Sequence, residues 1–124
     1  MGIISRFPAG ATEPYIEEIY NSDGQLIDVK MYGYETIRGY AFAGCTSLAL
    51  TTLPSGITNI GSYAFAGCAS LVSLTFEGTP GIIAADAFEG CNNLTTINVP
   101  WAEGAVANAP WGATNATINY GHIS

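Results

Sequence analysis

The strongest constraint in this chain is a five-residue segment that occurs three times at one spacing. Ala41-Phe42-Ala43-Gly44-Cys45 returns as Ala64-Phe65-Ala66-Gly67-Cys68 and again as Ala87-Phe88-Glu89-Gly90-Cys91, so successive cysteines stand 23 positions apart. A fixed period of this length marks a solenoid, because one coil cannot bury its apolar side alone and must stack on a copy of itself.

Other residues keep the same step. Leu71, Leu74 and Phe76 form the pattern L-x-x-L-x-F, which Leu94, Ile97 and Val99 repeat 23 residues on and which Leu48, Thr51 and Leu53 precede. Leu26, Val29 and Met31 fit one rung earlier, at a spacing of 22. Ile37, Ile60 and Ile83 make a second ladder, Phe42, Phe65 and Phe88 a third, and Cys45, Cys68 and Cys91 a fourth. Trp111 falls 23 after Phe88, with Ala113 and Thr114 where Gly90 and Cys91 stood, so the last rung reads as a degenerate cap that keeps its bulky aromatic. Equivalent residues of stacked coils should lie about 4.8 Å apart, the spacing of paired strands. Gly44, Gly67 and Gly90 are expected to turn the corner after each Phe, where a Cβ would clash.

The ends read differently from the middle. Tyr15 to Tyr20 and Leu26 to Met31 flank Asn21-Ser22-Asp23-Gly24, a strong turn signal, and predict a β-hairpin that caps the first coil. Residues 1–14, punctuated by Pro8, Gly10 and Pro14, form an arm that is disordered by default unless a neighbouring subunit holds it. Thr117 to Tyr120 would add a last edge strand. The expected organisation is an arm (1–14), a capping hairpin (15–36), coils (37–100) and a C-terminal cap (101–124). The fold class is a solenoid of 23-residue coils with a short parallel β-sheet and little helix.

Composition narrows the partners. Ten acids against Arg6, Lys30 and Arg38 give a net charge of −7, which leaves no basic patch for phosphates and disfavours nucleic acid and anionic membrane alike. No run approaches the roughly 18 apolar residues of a membrane span. The opening Met1-Gly2-Ile3-Ile4-Ser5-Arg6 lacks the basic and apolar regions of a Sec signal, which predicts a chain that works without Sec export, a fragment or a mature form.

Nothing in the chain reads as catalysis, a cofactor site or a metal site. The cysteines come singly, one per coil, rather than as C-x-x-C pairs with a partner His, and read as buried reduced thiols. His122 has no partner for a triad, and no phosphate loop or H-E-x-x-H is present. Asn21 to Gly24 resembles the start of a calcium loop, but Tyr32 occupies the twelfth position, where an acid is required. The candidate binding face is the outward side of the strand column: Leu50, Ser73 and Thr96 in one row, Thr52, Thr75 and Asn98 in the next. Hydroxyl and amide groups on a rigid sheet suit hydrogen bonding to a glycan or a peptide backbone. The aromatic set Tyr15, Tyr20, Tyr32, Tyr34, Tyr40, Tyr63, Trp101 and Trp111 offers either interface anchors or core fillers.

The pattern Ile…Ala-Phe-x-Gly-Cys-x-x-Leu-x-x-(Leu/Ile)-x-(Leu/Val)-Pro, well kept from Tyr34 to Pro100 and loosely to Tyr120, resembles the BspA-like leucine-rich repeat. The segment from Val99-Pro100-Trp101 through Pro110-Trp111-Gly112 is similar to C-terminal caps of such repeats in gut-bacterial and bacteriophage tail-associated proteins. The resemblance implies a leucine-rich-repeat solenoid without catalytic residues, engaged in surface adhesion. Few repeats and no export signal shift the expectation from a free-standing adhesin towards a virion component, located on a virion or an extracellular surface, that binds a protein or glycan. The alternative is a structural assembly protein, a homo-oligomer whose arm and strand edges pair with neighbouring subunits.

Overall fold

The structure, a computed structural model, describes residues 2–5 and 15–121. Within these there is no helix. Ten short strands form three sheets. The first is antiparallel: β1 (Gly2–Ser5) pairs with β2 (Tyr15–Tyr20), which pairs with β3 (Leu26–Tyr32). The β2–β3 hairpin is the one expected. Its turn is held by the Asn21 side chain, whose Oδ1 accepts the backbone N–H of Asp23 at 2.9 Å and of Gln25 at 3.0 Å. The arm is not wholly separate from it, because Gly2–Ser5 adds a strand in which Gly2 faces Tyr20. Residues 6–14 and His122 lie outside the described residues.

The coils follow. One parallel sheet runs β5 (Thr52–Leu53), β7 (Ser73–Phe76), β9 (Thr96–Asn98) and β10 (Thr117–Asn119), each bonded to the next. A second parallel sheet, not anticipated as strand, is built from β4 (Thr36–Ile37), β6 (Asn59–Ile60) and β8 (Ile82–Ile83). Its inward residues are the Ile37, Ile60 and Ile83 ladder. Between the sheets the Phe-Gly corners also bond coil to coil: Phe42 N–H donates to the Ala64 carbonyl at 2.7 Å and Phe65 N–H to the Ala87 carbonyl at 2.8 Å. Each coil is thus fixed to its neighbour on three sides, which is how a chain with so few charges orders without helix packing.

The core is one continuous column. Phe42, Phe65 and Phe88 stack with ring centroids 5.3 and 5.2 Å apart, Phe65 and Phe88 within 6° of parallel. Cys68 and Cys91 are buried beside them, and their Sγ–H groups donate to the carbonyls of Phe42 (3.2 Å) and Phe65 (3.0 Å) of the preceding coil. Gly44, Gly67 and Gly90 do turn the corner, with φ of +75°, +71° and +78°. The expected clash is absent, since a Cβ on Gly44 would meet nothing within 4 Å. What selects glycine there is the left-handed backbone. The tight approaches are elsewhere: a Cβ on Gly61 would sit 2.5 Å from Gly39 N, and one on Gly78 2.6 Å from the Ser55 carbonyl oxygen.

The last coil departs from the expected count. The bond Thr114 N–H to Gly112 carbonyl repeats Asn92 to Gly90 and Thr46 to Gly44, and Gly112 has φ +89°. Gly112 therefore occupies the Gly90 position after 22 residues rather than 23, and Pro110, not Trp111, stands in the Phe register. Trp111 is fully buried all the same. Its ring contacts are Phe76 and Trp101, both at 6.1 Å, so it plugs the end of the Leu/Phe column instead of adding a rung to the Phe stack.

Candidate functional site

The outward side of the β5–β7–β9–β10 sheet places most of the expected row together. Thr52 pairs with Thr75 and Thr75 with Asn98, while Ser73 pairs with Thr96. Strand alternation turns these side chains out because Leu53, Leu74, Phe76 and Ile97 turn in. β10 extends both rows, by Thr117 opposite Thr96 and Asn119 opposite Asn98. These two residues were not expected on the face; the 21-residue step from Asn98 to Asn119 hides them from a 23-residue template.

Leu50 is the exception. It is 3% exposed and belongs to the hydrophobic core, whereas Thr51, expected inside, is exposed. The reason is that β5 begins only at Thr52. Residues 50 and 51 lie before the pleat, where period-two alternation has no hold, and the hairpin approaches here through the bond from Ala49 N–H to the Ile27 carbonyl at 2.9 Å. The apolar side chain turns inward and the hydroxyl outward.

The face is preorganised by its own bonds. Asn98 Nδ2 donates to Thr75 Oγ1 at 3.2 Å, and Asn119 Nδ2 donates to Asn98 Oδ1 at 2.8 Å. The amides thereby hold each other in one rotamer along the stack, and the hydroxyls of Thr52, Ser73 and Thr117 stay exposed. Elsewhere the asparagines serve the fold: Asn93 and Asn115 side-chain amides donate to the carbonyls of Ala69 (2.8 Å) and Asn92 (3.0 Å).

A second surface feature lies on the Phe-corner side. Tyr40 and Tyr63 stack with centroids 5.2 Å apart and 19° between planes, and Tyr40 is 65% exposed. Trp101 and Trp111, by contrast, are buried. The structure divides the aromatic set into two tryptophans of the core and tyrosines of the N-terminal coils.

Among the described residues, no three His, Cys, Asp or Glu are arranged to hold a metal, and the cysteines are free thiols. The adjacent Cys91 thiol together with burial pushes the Cys68 thiol far above its ordinary range, and burial pushes Cys45 up. Both stay protonated at neutral pH, which suits packing and hydrogen bonding rather than nucleophilic attack. No helix among the described residues is long and apolar enough to cross a membrane.

A family model described as the BspA-type leucine-rich-repeat region matches residues 17–106 in six copies. The chain belongs to the BspA-type leucine-rich-repeat family. The match begins within the hairpin, in keeping with the rung-like spacing of Leu26, Val29 and Met31, and stops at Val106, within the shortened last coil and before Gly112. Comparison with curated proteins and with solved structures gave no match. Leucine-rich repeats of this type are typically binding modules rather than enzymes, and their general partners are proteins.

Proposed function

We propose that this BspA-type solenoid is a non-enzymatic adhesion module whose ligand-binding surface is the outward face of the β5–β7–β9–β10 sheet. The observation that carries this reading is the hydrogen-bonded row Thr75–Asn98–Asn119. A fixed row of amides beside exposed hydroxyls loses little side-chain entropy on meeting a partner. The groups are uncharged and offer both donors and acceptors, which fits a glycan or the polar backbone of a protein on a cell surface. The setting we infer is a virion tail or a cell-surface assembly.

The test is binding of the full chain to a glycan array and to immobilised surface proteins, beside Thr52→Arg and Ser73→Arg variants. Both positions are exposed, so melting should not change. Loss of binding by tenfold or more in the variants supports the proposal. Binding that ignores both substitutions sinks it.

A further inference from the structure

Every coil junction in the β4–β6–β8 sheet is made the same way. Thr58 and Asn59 N–H donate to the Glu35 carbonyl at 2.7 and 3.2 Å, and Gly61 N–H donates to the Ile37 carbonyl at 2.8 Å. One coil further, Gly81 and Ile82 N–H donate to the Thr58 carbonyl at 3.0 and 3.3 Å, and Ala84 N–H to the Ile60 carbonyl at 3.0 Å. The equivalent donors of the first coil are the N–H groups of Glu35, Thr36 and Arg38. β4 is the edge of its sheet, and among the described residues no acceptor meets these three.

Beside them lies a cleft of about 540 Å³, walled by Ile16, Met31, Ile37, Ala41 and Phe42, with Arg38 at its rim. The capping hairpin therefore covers the solenoid end unevenly. It reaches the first coil at Ala49 through Ile27, and among the described residues no strand pairs with β4 on its outer side. Unpaired donors along an edge strand, next to an apolar hollow, are the geometry of strand addition.

We infer that this cleft binds an extended segment of a partner polypeptide, added to β4 as a parallel strand. The repeat specifies what the segment must present. One carbonyl receives Glu35 and Thr36 N–H, as the Glu35 carbonyl receives Thr58 and Asn59. Two residues on, a branched aliphatic side chain stacks on Ile37, and its own carbonyl receives Arg38 N–H. The next residue stands beside the Arg38 side chain, which is exposed and has no ion pair among the described residues, so an acidic residue fits there. A second copy offering β8, the other edge of this sheet, fits less well, because Ala84 rather than an acidic residue follows its Ile83 and would face Arg38. This site is separate from the polar face and does not depend on it.

The probe is an acetylated, amidated peptide, Gly-Ile-Thr-Asn-Ile-Gly-Ser, which copies residues 56–62, the strand that makes these same contacts with β8. Titrated into the full ¹⁵N-labelled chain, it should saturate with a dissociation constant below about 1 mM. Hydrogen exchange at Glu35, Thr36 and Arg38 should slow by about tenfold or more. A peptide with Asp in place of its second Ile should not bind. Ala41→Arg, at an exposed position that lines the cleft, should weaken binding about tenfold while leaving the rest of the spectrum in place. Three results would overturn the inference: no binding at millimolar peptide; three amides already protected in the dilute free protein, meaning that the chain's own residues fill the cleft; or protection that rises with protein concentration alone, meaning that a second copy does.

Discussion

Phe65→Ala probes the packing that holds the coils together. Phe65 is fully buried, between Phe42 at 5.3 Å and Phe88 at 5.2 Å. Removing a buried Phe side chain costs about 3–5 kcal/mol, and a ring with two stacked partners belongs in the upper part of that range, since each aromatic pair adds about 0.5–1.5 kcal/mol. Phe42 has one ring partner among the described residues and is 9% exposed, so Phe42→Ala should cost about 1 kcal/mol less. Tyr40 and Tyr63 supply an internal control, because they stack at the same 5.2 Å with Tyr40 exposed and Tyr63 only half-buried. Tyr40→Ala should cost about 1 kcal/mol or less, and the gap between the two stacks measures burial rather than ring geometry. Against a total stability of about 5–15 kcal/mol, Phe65→Ala is a large loss. Urea unfolding followed by circular dichroism gives the values. Fluorescence of Trp101 and Trp111 reports the C-terminal end separately, and coincident curves license a two-state treatment. If Phe65→Ala costs under about 1.5 kcal/mol, or no more than Phe42→Ala, the stacked column is not what stabilises this fold.

Three other outcomes follow from single observations. Gly61→Ala and Gly78→Ala should destabilise more than Gly44→Ala, because the first two drive a Cβ into backbone at 2.5 and 2.6 Å while Gly44 has open space and only its φ of +75° to contend with; thermal melts of the three variants decide it. Leu50→Ala should cost about 2–5 kcal/mol, as for a buried leucine, and Thr51→Ala within about 0.5 kcal/mol, as for an exposed side chain; the opposite ranking would restore Leu50 to the surface. Cys68 keeps its proton in the fold, whereas the unfolded thiol ionises near pH 8.5. Its contribution is therefore complete below that pH and declines above it, by up to about 1.4 kcal/mol per pH unit. Because Cys68 also lowers the Cys91 thiol, the comparison is made in a Cys91→Ala background, where burial alone still raises Cys68. The stability gap between that chain and its Cys68→Ala variant should narrow between pH 8 and pH 10.5, and a constant gap would count against a thiol buried in its protonated form.

Much of this protein is a property of its sequence alone. Ala-Phe-x-Gly-Cys at a 23-residue step fixes the coil, its aromatic and sulfur ladders and its glycine corners, because each rung must match the one beneath it and any residue that breaks the match leaves a void or a clash. The hairpin was legible for the same local reason, in the Asn-Ser-Asp-Gly turn. The tertiary structure decided what depends on neighbours of a different kind. Leu50 and Thr51 exchange sides because β5 starts late and the hairpin approaches there, which no periodic template encodes. Trp111 matches Phe88 by count yet leaves the Phe stack, because the last coil is one residue short and the space it fills belongs to Phe76 and Trp101. Thr117 and Asn119 join the polar face because the strand step there is shorter still, 21 residues from Thr96 and Asn98. The β4 donors that meet no acceptor among the described residues were equally hidden: a repeat specifies what each coil offers to the next, and only the folded ends show where that series stops.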